Sequence, residues 1–287
     1  MLTFTYKVGL FNVTERVGKA GSSHFMEHET HVSLDMRLFI TEDDVAEFVK
    51  PKNSVCLLMP NYIIDLRQTE EQIFKNISRS TRRNIRKAMN QDHFNFIEHE
   101  NPTNEQVIKF SELYDEFARE INIKKCNVRK LKAIRDKGAL VISYITNQNN
   151  QVLCAHAYLM NTRQAYGIYS VLRSYKKGDS IDGQTIGRAN KYLDWRNIQS
   201  AKNKGCSWYN FGGKIFEEVD EKGKNVNQYK KSFGSISGYD LRVYKANGTV
   251  GKLFLLLLHF YYKWRRSHEY AFTFETLSTY QQNRRIS

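Results

Sequence analysis

Residues 185–203 carry a long helical pattern, and Gly187, Arg188 and Asn190 sit near its start. The unpaired N–H groups of a helix N-terminus suit a pyrophosphate or a carbonyl oxygen. The same three residues also fit a closely packed glycine beside exposed side chains. Gly212 and Gly213 close a strand-like run, Cys206–Phe211 (CSWYNF). Glycines there either make an ordinary turn or let a ligand approach the backbone. Tyr169 and Ser170 end another strand-like run, where a general acid or base could sit. Tyr169 alternates with Gly167, so only one of Tyr169 and Ser170 faces a cleft, and the pattern leaves open which. His156 lies in mid-strand and reads as a satisfied core histidine before a base. His24, Glu27, His28 and His31 have spacings that two ligands on one helix face would need. Their glycine–serine approach and lack of apolar periodicity indicate a loop, and no metal site is expected.

These residues need elements to hold them. Thr69 with Gln72, and Thr103 with Gln106, have the spacing of capping boxes that open helices. After the first box, Phe74, Ile77, Thr81, Ile85 and Ala88 continue at helical spacing and predict one helix. Its other face carries Arg79, Arg82, Arg83, Arg86 and Lys87. That run is a solvated face or a seat for a nucleotide, a tRNA backbone or a lipid phosphate. A shorter helix is predicted from Val128 to Asp136. The period then switches to strands at residues 139–146, 152–160 and 165–172, an antiparallel meander. The long crossover helix follows, then the strand ending at Gly212, a short helix near residues 226–233, and a last strand at 239–245. A strand, a crossover helix and a second strand imply a parallel pair late in the sheet. A binding cleft belongs where that pair splays, at the start of the crossover helix.

The predicted class is therefore α+β, with a mixed, mostly antiparallel sheet flanked by helices. Residues 1–60 are predicted as a partial N-terminal α/β extension packed on a main domain at 61–248. Residues 249–287 form an apolar, basic C-terminal helix and tail.

The chain has 287 residues, and 44 Lys and Arg against 30 Asp and Glu leave a net charge of +14. A surface this basic points to an anionic partner. Aromatic residues at 13% supply a core and exclude global disorder. Four scattered cysteines, Cys56, Cys126, Cys154 and Cys206, form no zinc or redox pair and fit a reducing cytoplasm. The start lacks the basic flank and apolar run of a secretory signal. The apolar stretch at residues 253–262 is shorter than the about 20 residues a spanning helix needs. Its Tyr and Trp neighbours and its basic end, over residues 252–266, suit either an interfacial helix on an anionic leaflet or a buried helix. The expected location is the cytoplasm, with the inner face of the plasma membrane as the peripheral alternative.

Four strings resemble one family. Ile64-Asp65-Leu66 with Ser80 to Ala88 (STRRNIRKA), Ile186 to Trp195 (IGRANKYLDW), Tyr209 to Gly213 (YNFGG) and Tyr229 to Gly234 (YKKSFG) are similar to segments of the Gcn5-related N-acyltransferases. They are nearest the FemAB-like branch, the peptidoglycan-bridge aminoacyltransferases and their relatives. The resemblance covers about residues 60–245 and implies one complete acyltransferase domain. It implies transfer of an acyl or aminoacyl group to an amino group of a cell-envelope or capsule glycan precursor. The acceptor would be a sugar nucleotide or a lipid-linked glycan. The donor would be an acyl-CoA, an acyl carrier protein or an aminoacyl-tRNA, entering as a substrate, with no covalently bound cofactor. In that family pattern Lys230 is directed at the active site, where a point charge steadies donor phosphate or a developing oxyanion. Tyr229 would wall the acyl channel. The other readings are a solvated Lys230 beside Lys231 and a core Tyr229. The alternative to an enzyme is a non-catalytic basic scaffold that binds RNA or anionic membrane.

Overall fold

A computed structural model describes residues 1–18, 30–173, 182–214, 221–264 and 272–273. The chain forms two compact units. The first joins Met1–Ile63, Gly212–Lys231 and Ile236–Ser287, and the second joins Ile64–Phe211 and Ser232–Ser235.

In the first unit, β1 (Leu2–Val8) and β2 (Phe11–Val17) form an antiparallel hairpin through Gly9 and Leu10. β3 (Val32–Phe39) runs parallel to β2. β10 (Ile236–Ala246) inserts antiparallel between β3 and β4 (Ser54–Asp65). A two-residue β11 (Phe272–Thr273) pairs with β4. Val45 of α1 (Glu42–Ala46) packs with Cys56, Leu58, Leu241 and Val243, an apolar layer beneath the sheet. The unit also holds α7 (Glu221–Lys231) and α8 (Gly248–Trp264).

In the second unit, β5 (Asn95–Glu100), β6 (Leu140–Thr146), β7 (Val152–Met160) and β8 (Gln164–Leu172) form an antiparallel meander. The crossover helix α6 (Gly183–Asn203) returns the chain to β9 (Trp208–Gly213), which starts parallel to β8. β6 is buried along its whole length and β7 beyond its first residue. α6 covers one face, and α4 (Asn104–Glu120) and α5 (Val128–Arg135) cover the other. The class is α+β with a mixed, mostly antiparallel sheet, as the periodicities predicted.

Both capping boxes are present, with each N-cap threonine and the glutamine three residues on bonded reciprocally. The single helix expected after Thr69 is two, α2 (Glu70–Asn76) and α3 (Arg79–Asn90). Ile77 is extended, and Ser78 starts α3 by capping the N–H of Thr81. The break is held from outside and from within α3. Ser78 N–H donates to Ser232 O at 2.8 Å, and the Arg82 guanidinium donates to the carbonyls of Lys75 and Ile77. Part of the basic run is therefore structural, as is Arg86, whose guanidinium lies 5.3 Å from the Phe74 ring centre.

Gly234 shows why a glycine ends the last string. Its φ is +72°, and a Cβ there would lie 2.6 Å from the Asn76 carbonyl oxygen. Gly234→Ala should lose about 3 kcal/mol or more of stability, from left-handed backbone plus a clash with fixed backbone. Urea unfolding checks this; a loss within error would mean that this contact does not shape the fold.

Candidate active site

The strings that carry the resemblance meet in space. Lys230, at the end of α7, donates from Nζ to the Gly213 carbonyl at 2.7 Å and to the Gly212 carbonyl at 3.4 Å. The half-buried ammonium thus sits over the end of β9. Gly212 has φ +77°, a backbone form that side chains resist, and this turns its carbonyl toward the lysine. Two residues along from Lys230, Ser232 accepts from the Thr81 hydroxyl at 3.0 Å, and Phe233 is fully buried against Phe211. Tyr229 is half-buried in the same turn.

In the second unit, β8 and β9 pair only from Gln164–Trp208 to Tyr166–Asn210. Beyond that point β8 continues without β9, which is the splay expected after a crossover. A β-bulge between Gly167 and Tyr169 leaves Ile168 without a partner in β7. The simple alternation assumed from Gly167 to Tyr169 therefore does not hold. Ser170 lies opposite His156, on the face that α6 covers, and is exposed. Tyr169 points to the other face. Its ring stacks on Tyr114 at 4.6 Å, and its hydroxyl accepts the Asn127 N–H at 2.9 Å. Burial raises the Tyr169 hydroxyl pKa and pushes the neighbouring Cys126 thiol up to about 12. A phenol held this way is a poor base at neutral pH.

The start of α6 is partly occupied. The Asp182 carboxylate accepts the Thr185 N–H at 2.6 Å, and this bond lowers its pKa. Gly187 opens onto space, with no atom within 4 Å of where a Cβ would stand. Arg188 is turned to Asp92 after α3, with Nε at 2.6 Å and Nη2 at 3.0 Å from its two carboxylate oxygens. Both side chains are about nine-tenths buried, so the pair ties α6 to the end of α3. Arg188→Met and Asp92→Asn should each cost about 2 kcal/mol, and the double variant less than the sum. A double-mutant cycle by urea unfolding measures this; additive costs would show the tie to be idle.

Asn190 faces inward. Its Oδ1 lies 3.1 Å from His156 Nε2. That contact opens a buried polar network on the α6 side of the sheet. His156 Nδ1 is 2.9 Å from the Tyr158 hydroxyl, and Asn197 Nδ2 donates to the same hydroxyl at 3.2 Å. Tyr209 donates to Asp194 Oδ1 at 2.9 Å, and the Tyr158 and Tyr209 hydroxyls touch each other. Burial lowers the His156 pKa more than Asp194 restores it, so the imidazole is neutral at pH 7. A neutral ring that donates from Nε2 to Asn190 accepts at Nδ1. The network fastens Tyr209, and hence β9 on its way to Gly212, to the core of α6. Sequence reading passed over Asp194 and Asn197. Their signal was the spacing Asn190, Asp194, Asn197, one polar line on an otherwise apolar helix face.

His24, Glu27 and His28 lie outside the described residues, as do residues 174–181 before α6. His31 is structural: its Nδ1 accepts the Asn12 N–H at 3.1 Å. Among the described residues no cluster of His, Cys, Asp and Glu could hold a metal ion.

The solved structure of FemX matches 83% of this chain over 83% of its own length, with a TM-score of 0.51 at 9% identity. The C-terminal domain (DUF2156) of an Agrobacterium fabrum protein described as a lysylphosphatidylglycerol synthetase matches 88% of this chain over 83% of its own. Its TM-score is also 0.51, at 11% identity. No protein-family model matches the sequence, and no curated protein does. At these identities the likeness is one of fold. FemX and the synthetase domain thus share the fold of this chain, whose four strings resemble segments of the Gcn5-related N-acyltransferases in their FemAB-like branch.

Proposed function

We propose that this chain is an acyltransferase of the FemAB-like kind, moving an acyl or aminoacyl group from an activated donor to an amino group. The observation that carries this reading is the Lys230 ammonium held on the Gly212 and Gly213 carbonyls at the end of β9. The fold supports it, since FemX and the synthetase domain share it. In this reading residues 61–248 are the transferase domain, 1–60 its extension and 249–287 a basic appendage.

The reaction joins a neutral amine to the donor carbonyl and expels a thiol or a ribose hydroxyl. Charge builds on the carbonyl oxygen as the tetrahedral intermediate forms. A fixed cation beside a side-chain-free strand end steadies that charge without having to reorganise. Gly212 and Gly213 leave room for the donor backbone, and Tyr229 walls the acyl group. Gly187 offers open space for donor phosphate near the start of α6, whereas Arg188 and Asn190 serve through the elements they fix. Of the two β8 candidates Ser170 is the exposed one, whereas Tyr169 is held by Tyr114 and Asn127.

The donor is an acyl-CoA, an acyl carrier protein or an aminoacyl-tRNA. The acceptor is an amino sugar or peptide amine on a cell-envelope or capsule glycan precursor, carried by a nucleotide or a lipid. The test is direct. The purified chain is incubated with each labelled donor class and with nucleotide-linked and lipid-linked amine acceptors, and products are read by mass spectrometry. Formation of an amide with one donor supports the reading. No transfer from any donor, with tRNA bound tightly and steeply dependent on salt, would favour the non-catalytic scaffold.

A further inference from the structure

Helix α8 carries an apolar face that its own unit does not cover. Its inner side is seated firmly. A Cβ on Gly251 would fall 2.0 Å from the His31 carbonyl oxygen, so only glycine lets the first turn rest on that backbone. Three residues on, Phe254 meets Phe11 edge to face, with ring centres 5.0 Å apart. The helix is thus held by contacts on one side. On another side Val250, Leu253, Leu256, Leu257, Phe260 and Tyr261 are each 44–57% exposed. At about 100° per residue they fall in a single arc of roughly 140°. Lys252 and His259 lie in the arc between that stripe and the inner face.

A second apolar element lies on the neighbouring strand. The β1–β2 turn presents Leu10, which is 89% exposed. Turn positions ordinarily take polar residues, so a leucine at a hairpin tip is unexpected on a surface meant for water. Phe11, next to it, is the residue on which Phe254 rests. The tip and the helix therefore belong to one side of the unit.

Charge narrows the occupant. Neither α8 nor residues 6–13 contains an acidic side chain, whereas Lys7 stands beside the tip and Lys252 beside the stripe, and both are exposed. A partner protein that merely buried the stripe would need no such bias. No helix among the described residues is long and apolar enough to cross a bilayer. An apolar stripe bordered by cations, with an aromatic end, on a helix of this length matches insertion into the boundary between headgroups and acyl chains.

We propose that the outer face of α8, with the Leu10 hairpin tip, docks the protein flat on an anionic lipid surface. This docking does not depend on the catalytic reading, and its test uses no turnover.

The full chain is sedimented with vesicles of phosphatidylglycerol and phosphatidylcholine in equal parts, and with pure phosphatidylcholine vesicles. Binding to the anionic vesicles is expected, with weaker binding to the neutral ones. Leu257→Glu with Phe260→Glu should reduce the anionic binding about tenfold or more, and Leu10→Ser should reduce it about threefold, each with unchanged circular dichroism. Leu10→Ser lies outside the helix, so it tests the face even if the α8 variant fails to fold. Protein left in the supernatant with both vesicle types overturns the proposal, as does binding that neither variant weakens. Analytical ultracentrifugation without lipid supplies the remaining outcome. A wild-type dimer that Leu257→Glu converts to monomer would mean that a second copy covers the stripe, and would also overturn it.

Discussion

Lys230→Ala should lower acyl transfer by about a hundredfold or more while leaving the fold intact, because a preorganised charge at the reacting oxygen is worth that much. Lys230→Met keeps the aliphatic stem and should lose as much, which separates the charge from packing. Lys230→Arg should recover little. A guanidinium is broad and planar, and the site is built from two carbonyls 2.7 Å and 3.4 Å from one nitrogen. The measurement is turnover at saturating donor, with circular dichroism and urea unfolding as controls. Wild-type turnover in Lys230→Met would remove Lys230 from the mechanism.

The second large effect is on stability. Asp194→Ala should cost about 3–5 kcal/mol, because it leaves the fully buried Tyr209 hydroxyl and its neighbours short of an acceptor. Tyr209→Phe removes one hydroxyl and should cost about 1 kcal/mol. In the double variant the two losses should not add, since they share one hydrogen bond. Urea unfolding measures all three. A loss below about 1 kcal/mol in Asp194→Ala would mean that water replaces the carboxylate and that the network does not fasten β9 to α6.

The parts of the fold that sequence revealed were those where one periodicity runs long and clean. β7 was predicted at its observed bounds, and α6 within two residues, because a long run of apolar residues at one period marks each. The break between α2 and α3 was hidden. Ile73, Ile77, Thr81 and Ile85 keep nearly helical spacing across it, and one of the bonds that hold it comes from Ser232, far along the chain. β5 was missed because its inward residue Glu98 is a carboxylate. Lys204 Nζ at 2.6 Å and Ser200 Oγ at 2.8 Å bond its Oε1, and an apolar pattern cannot register that. The bulge at Ile168 left no local mark, so the facing of Tyr169 and Ser170 could be read only from the register with β7.

The candidate site divides in the same way. Lys230, Gly212 and Gly213 were found through strings that resemble a family, and the structure joins those strings by hydrogen bonds. Arg188 and Asn190 were chosen for their place at a helix start, but their partners are Asp92 and His156. Position along a helix told which residues stood near its end and said nothing of the neighbours competing for them.

The placement of β10 bears on how the chain is made. Residues 64–211 are contiguous and complete nearly all of their unit by themselves. The other unit waits, because β3 and β4 are joined only through β10, which is synthesised after both. During translation each of those strands offers a bare hydrogen-bonding edge until the final fifth of the polypeptide leaves the ribosome. A message truncated before Ile236 would therefore yield a chain with one finished half and two sticky borders, a product suited to clumping or to capture by chaperones.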